Sequence, residues 1–299
     1  MCSDPGPSTK WFDLRVPLTV LRPELLLTTG QSFTWKCVGN KHWVGVLGSS
    51  VYEIKQSEDT TLYRTLFGKC SRERLWDYFD LDNEYSVDFT KAPKPVKQII
   101  KRRSGVRILQ QDPFECLISF ICSSNNNISR ITRMLNEIKR NFGTFLAKSE
   151  VNNEMFDFYA FPSVDQLRKA TPEQLKKLGL GYRSDFIFKT VEILNSRGLN
   201  WLYSLRNEDS DTCKSALTSL PGVGRKVADC VSLFSLGKRD VVPVDVHIQK
   251  IANTFFGVKC GKSLSDSDYE RIGTAFRNFA GDNAGWAQAV LFIDSVIKS

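Results

Sequence analysis

The apolar residues of this 299-residue chain keep one rhythm up to about residue 90 and another from Asp112 onward. Over residues 11–90 they alternate with polar ones. The runs Trp11-Phe12-Asp13-Leu14-Arg15-Val16, Ser32-Phe33-Thr34-Trp35-Lys36-Cys37-Val38 and Thr61-Leu62-Tyr63-Arg64-Thr65-Leu66-Phe67 all show it. A period of two belongs to a strand with one buried face. Trp43-Val44-Gly45-Val46-Leu47 and Val51-Tyr52-Glu53-Ile54 flank Gly48-Ser49-Ser50, which is a hairpin signal. An antiparallel sheet with one covered face is expected, left through a linker from Tyr85 to Pro95.

From Asp112 the spacing becomes helical and the helix starts are legible. Asp112-Pro113-Phe114-Glu115 places a cap, a first-turn proline and an acid at the third position. Phe114, Leu117, Ile118, Ile121 and Cys122 then recur at helical intervals. Ser124-Asn125-Asn126-Asn127 interrupts, and a second helix is expected over Ile128 to Phe142, stopped by Gly143. Ser163-x-x-Gln166 and Thr171-Pro172-x-Gln174 open two short helices, and Phe186, Ile187, Val191 and Leu194 mark another. The fold class expected is therefore α+β, with an antiparallel β domain at 1–100 and a helical lobe at 101–299.

Composition narrows the function classes. Hydrophobic residues at 41% and charged residues at 25% exclude disorder and collagen-like repeats. No apolar run approaches the ~18–20 residues that cross a bilayer, so no membrane role is expected. Met1-Cys2-Ser3-Asp4-Pro5 has no apolar segment of the secretory type. Residues 1–100 hold 13 basic and 12 acidic side chains, whereas residues 101–299 hold 28 and 21. A basic lobe beside a neutral one fits a polyanionic partner, and equally a merely soluble basic surface. The run Lys101-Arg102-Arg103 with Arg107 reads as solvated or phosphate-facing.

The eight cysteines form no C-x-x-C pair, and the only histidines are His42 and His247. Zinc ribbons and four-cysteine iron–sulfur loops are not expected, nor any other metal in the chemistry. Cys116 and Cys122 fall inside an apolar helical pattern, where reduced cysteine acts as a small hydrophobe.

Residues 212–236 carry the most specific signal. Cys213, Ala216, Leu217 and Leu220 form an amphipathic helix that ends at Pro221-Gly222-Val223-Gly224. Another begins at once, with Val227, Ala228, Val231 and Phe234 on its buried side. A Gly-x-Gly turn at a helix start aims orphan amides and the positive dipole end at one place, which suits a phosphate. A plain helical hairpin with a glycine stop fits the turn equally well. Lys226 and Cys230 share a face of the second helix. Val242-Pro243-Val244-Asp245-Val246-His247 then starts a further helix, with Asp245 at its cap. A lysine whose proton affinity burial lowers can attack a sugar carbon and form an imine, and a carboxylate can stabilise oxocarbenium charge. Taken singly, Lys226 also reads as a phosphate-contacting cation and Asp245 as a simple cap.

These motifs together resemble the helix-hairpin-helix DNA glycosylase superfamily, and within it the eukaryotic 8-oxoguanine DNA glycosylases. The resemblance covers nearly the whole chain. It rests on Leu220–Cys230 and Val242–His247, on Gly30-Gln31-Ser32-Phe33-x-Trp35, and on Ile118–Ile128. Leu178-Gly179-Leu180-Gly181-Tyr182-Arg183 and Gly285–Phe292 complete it. Branches of the superfamily that excise adenine or resemble endonuclease III carry a C-terminal four-cysteine cluster, absent from this sequence. The alkylated-base branch lacks the lysine found here.

The resemblance implies roles residue by residue. Lys226 is the nucleophile and Asp245 supports the developing charge. Gly30, Cys230, Gln288 and Phe292 form the base pocket, the Gly30 carbonyl meeting the extra N7–H of 8-oxoguanine. Cys230 and Phe292 sandwich the base, and Gln288 reads its Watson–Crick edge. By residue type alone Phe292 reads as core, Gln288 as a solvated helix face and Thr29-Gly30-Gln31 as a turn. Asn125 fills the space vacated by the base, Tyr182 wedges into the stack, and Arg130 and Arg183 read the opposing cytosine. Gly222, Val223 and Gly224 hold a backbone phosphate, with a structural metal ion bridging at the hairpin once DNA is bound. His247 contacts another phosphate. No cofactor is required for the chemistry.

The function so implied is a monomeric, bifunctional DNA glycosylase and AP lyase. It would act in base excision repair on 8-oxoguanine opposite cytosine in double-stranded DNA, in the nucleus and as a second compartment the mitochondrion. An alkylated-base glycosylase and a non-catalytic DNA-binding helix-hairpin-helix protein are the alternatives.

Overall fold

The computed structural model describes residues 10–261 and 263–298; the segment Met1–Pro5, read above for its lack of a secretory pattern, lies outside them. Strands β1 (Phe12–Asp13), β2 (Trp35–Gly39), β3 (His42–Leu47), β4 (Ser50–Gln56) and β5 (Thr61–Phe67) form one sheet. Its order is β1-β5-β4-β3-β2 and each pairing is antiparallel. The expected hairpin closes through Gly48-Ser49, with Leu47 opposite Ser50. The Trp11–Val16 run is a strand only at Phe12–Asp13; the Leu14 amide still donates to Thr61 O, and Arg15 then adopts φ 58 and turns the chain out of the ladder.

The expectation of a single covered face is corrected by the structure. Trp35, Tyr52, Ile54 and Tyr63 enter the main core with the helices, while Val44, Val46 and Val51 point the other way into a second cluster. The cover over that second face is a hairpin of β6 (Phe145–Val151) and β7 (Glu154–Tyr159), which contributes Val151 and Phe158. Both strands lie in the region read above as wholly helical. Asn152 and Asn153 make the turn with φ 51 and 63, a conformation that asparagine tolerates better than other side chains.

Two helices follow the sheet, α1 (Arg72–Tyr78) and α2 (Lys94–Arg102). Residue 100, the expected division between lobes, falls inside α2, and the core runs unbroken from the sheet to the last helix. Next come α3 (Pro113–Ser123) and α4 (Ile128–Phe142), with the limits expected for the second. Asp112 accepts from the Glu115 amide and Asn127 from the Arg130 amide. After the hairpin, α5 (Val164–Leu167) and α6 (Pro172–Leu175) each carry a complete capping box, on Ser163/Gln166 and Thr171/Gln174. The remaining helices are α7 (Arg183–Arg197), α8 (Asn200–Ser204), α9 (Ser210–Thr218), α10 (Arg225–Ser235), α11 (Val246–Phe256), α12 (Asp266–Ala280) and α13 (Ala284–Lys298).

Helices α3 and α10 sit at the centre. Every residue of α3 from Pro113 to Cys122 except Glu115 is buried, as is every residue of α10 from Val227 to Ser235. A helix as apolar around its circumference as α3 belongs in the interior, whereas α10 buries Asp229, Ser232 and Ser235 with its apolar side chains. Phe120 of α3 stacks on Phe234 of α10 with centroids 5.6 Å apart.

In the basic run 101–107, Lys101 and Arg102 are exposed, as a solvated run would be, whereas Arg103 and Arg107 depart from that reading. Arg102 and Arg103 both bond Asp294 on α13. Arg107 is 4% exposed, donates to the carbonyls of Phe79, Asp80 and Asn83, and lies over the Tyr85 ring. A planar guanidinium with five donors satisfies several buried carbonyls at once.

Candidate active site

The helical hairpin forms as its sequence suggests. Helix α9 ends at Thr218, the turn Pro221–Gly224 follows, and α10 starts at Arg225. Gly222 has φ 77, and a Cβ there would lie 2.7 Å from Phe186 side-chain atoms, so both backbone and space demand glycine. Gly224 caps α10 without any side-chain bond, and the amides of its first turn keep no side-chain partner. Val223 is buried beneath the turn.

Lys226 lies on the first turn of α10, half-buried, with Nζ 3.4 Å from Ser123 Oγ and 5.3 Å from the Phe120 ring centroid. Asp245 caps α11: its Oδ1 accepts from the His247 and Ile248 amides, both at 2.9 Å, which leaves Oδ2 as the oxygen outside the cap. Both side chains line one open-mouthed cavity of about 50 Å³. Gly30, Gln31, Phe120, Cys230, Gln288 and Phe292 line it as well.

Three features give this cavity a chemical character. Phe292, Phe120 and Cys230 make apolar walls, and burial pushes the Cys230 thiol up to about 11, against the pull of Lys226, so it is a neutral thiol at pH 7. Gln288 is 5% exposed, and its Oε1 has no hydrogen-bond partner. An orphaned buried acceptor costs about 1–3 kcal/mol and is relieved by a ligand that donates. Gly30 has φ 97, and a Cβ there would meet Ile128 Cδ1 at 3.4 Å and Phe292 Cε1 at 3.7 Å.

The cavity opens into a trough of about 980 Å³ that shares Gly30, Phe120, Lys226, Asp245 and Phe292 with it. Asn125, Gly224, Val246 and His247 line the trough. His247 is exposed and stands edge-on to the Phe292 ring at 5.7 Å. Asn126 donates to Cys122 O and Asn127 caps α4, so two of the three asparagines serve the helix ends. Asn125 is exposed, with φ 47. Tyr182 is 52% exposed and donates to Ser124 O at 3.1 Å. Arg183 is buried and donates to the carbonyls of Leu180, Ser124 and Asn125, with its Nε unpartnered. Arg130 is exposed on the first turn of α4, outside the lining of both cavity and trough.

Phe120 and Ser123 were not anticipated. Both lie within the Ile118–Ile128 motif, but the sequence assigns neither a role. Their part comes from α3 packing beside α10.

Comparisons with known proteins find relatives over nearly the whole chain. Residues 13–117 match the family described as 8-oxoguanine DNA glycosylase, N-terminal domain, and residues 118–271 match the HhH-GPD superfamily of base excision DNA repair proteins. The N-glycosylase/DNA lyase OGG1 of Arabidopsis thaliana is 37% identical over 95% of this chain and 80% of its own length. The N-glycosylase/DNA lyase of Saccharomyces cerevisiae is 33% identical over 89% of this chain and 81% of its own. Among solved structures, Clostridium acetobutylicum 8-oxoguanine glycosylase/lyase in complex with double-stranded DNA containing cytosine opposite 8-oxoG superposes with a TM-score of 0.79. It is 26% identical and covers 100% of this chain and 99% of its own.

Proposed function

The chain belongs to the 8-oxoguanine DNA glycosylase family of helix-hairpin-helix base excision repair proteins, and from that premise we propose that it excises 8-oxoguanine opposite cytosine from double-stranded DNA and then cleaves the strand. The observation that carries this reading is the convergence of Lys226 and Asp245 on one cavity with Gly30, Cys230, Gln288 and Phe292. A DNA-binding module without catalysis needs no lysine and carboxylate at the wall of one shared cavity, and an alkylated-base glycosylase needs no amine there.

Lys226 Nζ, as the free amine, bonds to C1′ of the extruded nucleotide while the C1′–N9 bond breaks and its electron pair leaves with the base. Positive charge builds on the sugar, and Asp245 stabilises it. Loss of a proton from nitrogen and opening of the sugar ring give the imine. Removal of a C2′ proton then expels the 3′ phosphate by β-elimination.

Recognition follows from donors and acceptors. 8-Oxoguanine carries N7–H where guanine has a lone pair, so a carbonyl at Gly30 attracts one and repels the other. Guanine in that place faces a mismatch of about 1–3 kcal/mol. Gln288 Oε1 accepts from the Watson–Crick edge, which in this base offers N–H donors. Phe292 and the neutral Cys230 thiol hold its two faces. Asn125 occupies the gap in the duplex, Tyr182 wedges the stack, and Arg130 and Arg183 address the orphaned cytosine; Arg183 must exchange its carbonyl partners to do so.

The turn Gly222-Val223-Gly224 brings a backbone phosphate up to the first-turn amides of α10, and His247 takes a second. A hard cation at this hairpin fits only weakly. No aspartate or glutamate lies between residues 212 and 228, so its ligands there would be carbonyls. Two of those, of Leu220 and Pro221, already accept from Val223 N and Thr190 Oγ1. When bound, the ion would neutralise phosphate charge. A monomer suffices for these contacts. The nucleus follows from the proposed substrate, chromosomal DNA, and mitochondrial DNA, oxidised in the same way, is the second compartment.

Borohydride trapping tests the mechanism. A duplex with 8-oxoguanine opposite cytosine should give a covalent adduct that Lys226→Gln abolishes, with lesion binding largely kept. An adduct surviving that substitution overturns it.

A further inference from the structure

Asp229 and Tyr269 stand behind the reacting pair and take no part in the steps above. Asp229 follows Lys226 by three positions on α10, and Tyr269 belongs to α12. Asp229 is 3% exposed and Tyr269 is 6%. The Tyr269 hydroxyl donates to Asp229 Oδ2 and accepts from the Val244 amide at 3.1 Å. Val244 immediately precedes Asp245.

That last bond adds a tie on the N-terminal side of Asp245, whose Oδ1 is held by the His247 and Ile248 amides and whose carbonyl accepts from the Gln249 amide. Pro243 has no N–H. Among the described residues, Val244 is the only one from 242 to 246 whose amide has a hydrogen-bond partner. Burial of Val242 and Val244 seats the segment, but apolar contact is not directional. The polar link runs from the helix bearing Lys226, through Asp229 and Tyr269, to the peptide beside Asp245.

We propose that Tyr269, seated on Asp229, is a positioning residue that fixes the Asp245 carboxylate relative to Lys226 during excision. The proposal rests on the roles assigned above to Lys226 and Asp245. Its polarity is internally consistent. Burial pushes Asp229 up to about 6, against Tyr269 and the cations Lys214, Arg225 and Arg277, so it is ionised at neutral pH and only accepts. The phenol, held protonated by burial and by that carboxylate, gives Asp229 its hydrogen and offers Val244 a lone pair. Arg225 lies over the ring at 4.6 Å and Lys214 at 5.6 Å, which holds it from the outside.

The test is single-turnover base release from the 8-oxoguanine·cytosine duplex at saturating enzyme, alongside lesion affinity and melting temperature. Tyr269→Phe is expected to slow release by roughly ten- to a hundredfold, as small misplacements do, with affinity changed less than about threefold. Because it strands a buried carboxylate, the double variant Asp229→Leu/Tyr269→Phe separates stability from positioning: it should melt nearer the wild type and still release base slowly. Asp229→Asn, which keeps an acceptor for the phenol, should recover most of the rate lost in Asp229→Leu. Wild-type release by Tyr269→Phe, or a double variant that regains rate together with stability, overturns the proposal. A wild-type protein that releases no 8-oxoguanine overturns the underlying reading instead, and this one with it.

Discussion

Gly30 and Phe292 stand so close that a methyl group on Gly30 would come within 3.7 Å of Phe292 Cε1 while touching Ile128 Cδ1 at 3.4 Å. The backbone at Gly30 also has φ 97, where an L side chain is strained by about 1–3 kcal/mol. Gly30→Ala should therefore tilt the peptide that addresses N7 and narrow the slot above the ring. Release of 8-oxoguanine is expected to fall by roughly a hundredfold, the size of effect produced by small displacements in a site. Strand cleavage at a preformed abasic site, which has no base to seat, should fall far less. Equal losses on the two substrates would show that Gly30 does not read the base.

The two duties of Asp245 can be separated. Asparagine caps a helix as well as aspartate does, whereas alanine loses about 1 kcal/mol. Asp245→Asn should leave thermal stability near wild type and still lower single-turnover excision by roughly a hundredfold, through loss of charge at the sugar. Asp245→Ala should add the capping loss to the same kinetic defect. An Asp245→Asn protein that excises normally would reduce the residue to a cap.

Phosphate contacts at the hairpin should be blind to the lesion. A Cβ on Gly222 would lie 2.7 Å from Phe186 Cβ, Cγ and Cδ2, so Gly222→Ala must shift the turn. Affinity is expected to drop about tenfold for lesion and undamaged duplex alike, with a shallower salt dependence. Anisotropy titrations at two salt concentrations measure both. A loss confined to lesion duplex would assign the hairpin to base recognition.

Local chemistry made much of this protein legible and tertiary chemistry hid the rest. The caps at Asp112, Asn127, Ser163, Thr171 and Asp245 depend on residues within one turn, and a chain carries that information in its order. Lys226 and Cys230, or Gln288 and Phe292, share a face for the same reason. The β6–β7 hairpin escaped notice because half-exposed strands alternate weakly, although Asn152-Asn153 was a usable turn signal. Arg107 looked like part of a surface charge run because nothing nearby announces the carbonyls of residues 79–83. Phe120, Ser123 and Tyr269 acquire their places only when α3, α10 and α12 come together.

Asp229 should leave a signature in the pH dependence of stability. Burial raises its carboxyl from 3.8 to about 6, against the pull of Tyr269, Lys214, Arg225 and Arg277. The folded state thus holds this proton more tightly than the unfolded chain. Its contribution is fully present below pH 3.8 and is lost as pH rises through about 6. At about 1.4 kcal/mol per unit, the loss across that window is of the order of 3 kcal/mol at most. Asp229→Asn cannot titrate, so its stability relative to wild type should climb between pH 4 and 7 and level off above. Denaturant unfolding of both proteins at matched pH and ionic strength gives the difference curve. A flat curve would mean that the Asp229 carboxyl has the same proton affinity folded and unfolded, and that its burial is relieved by water.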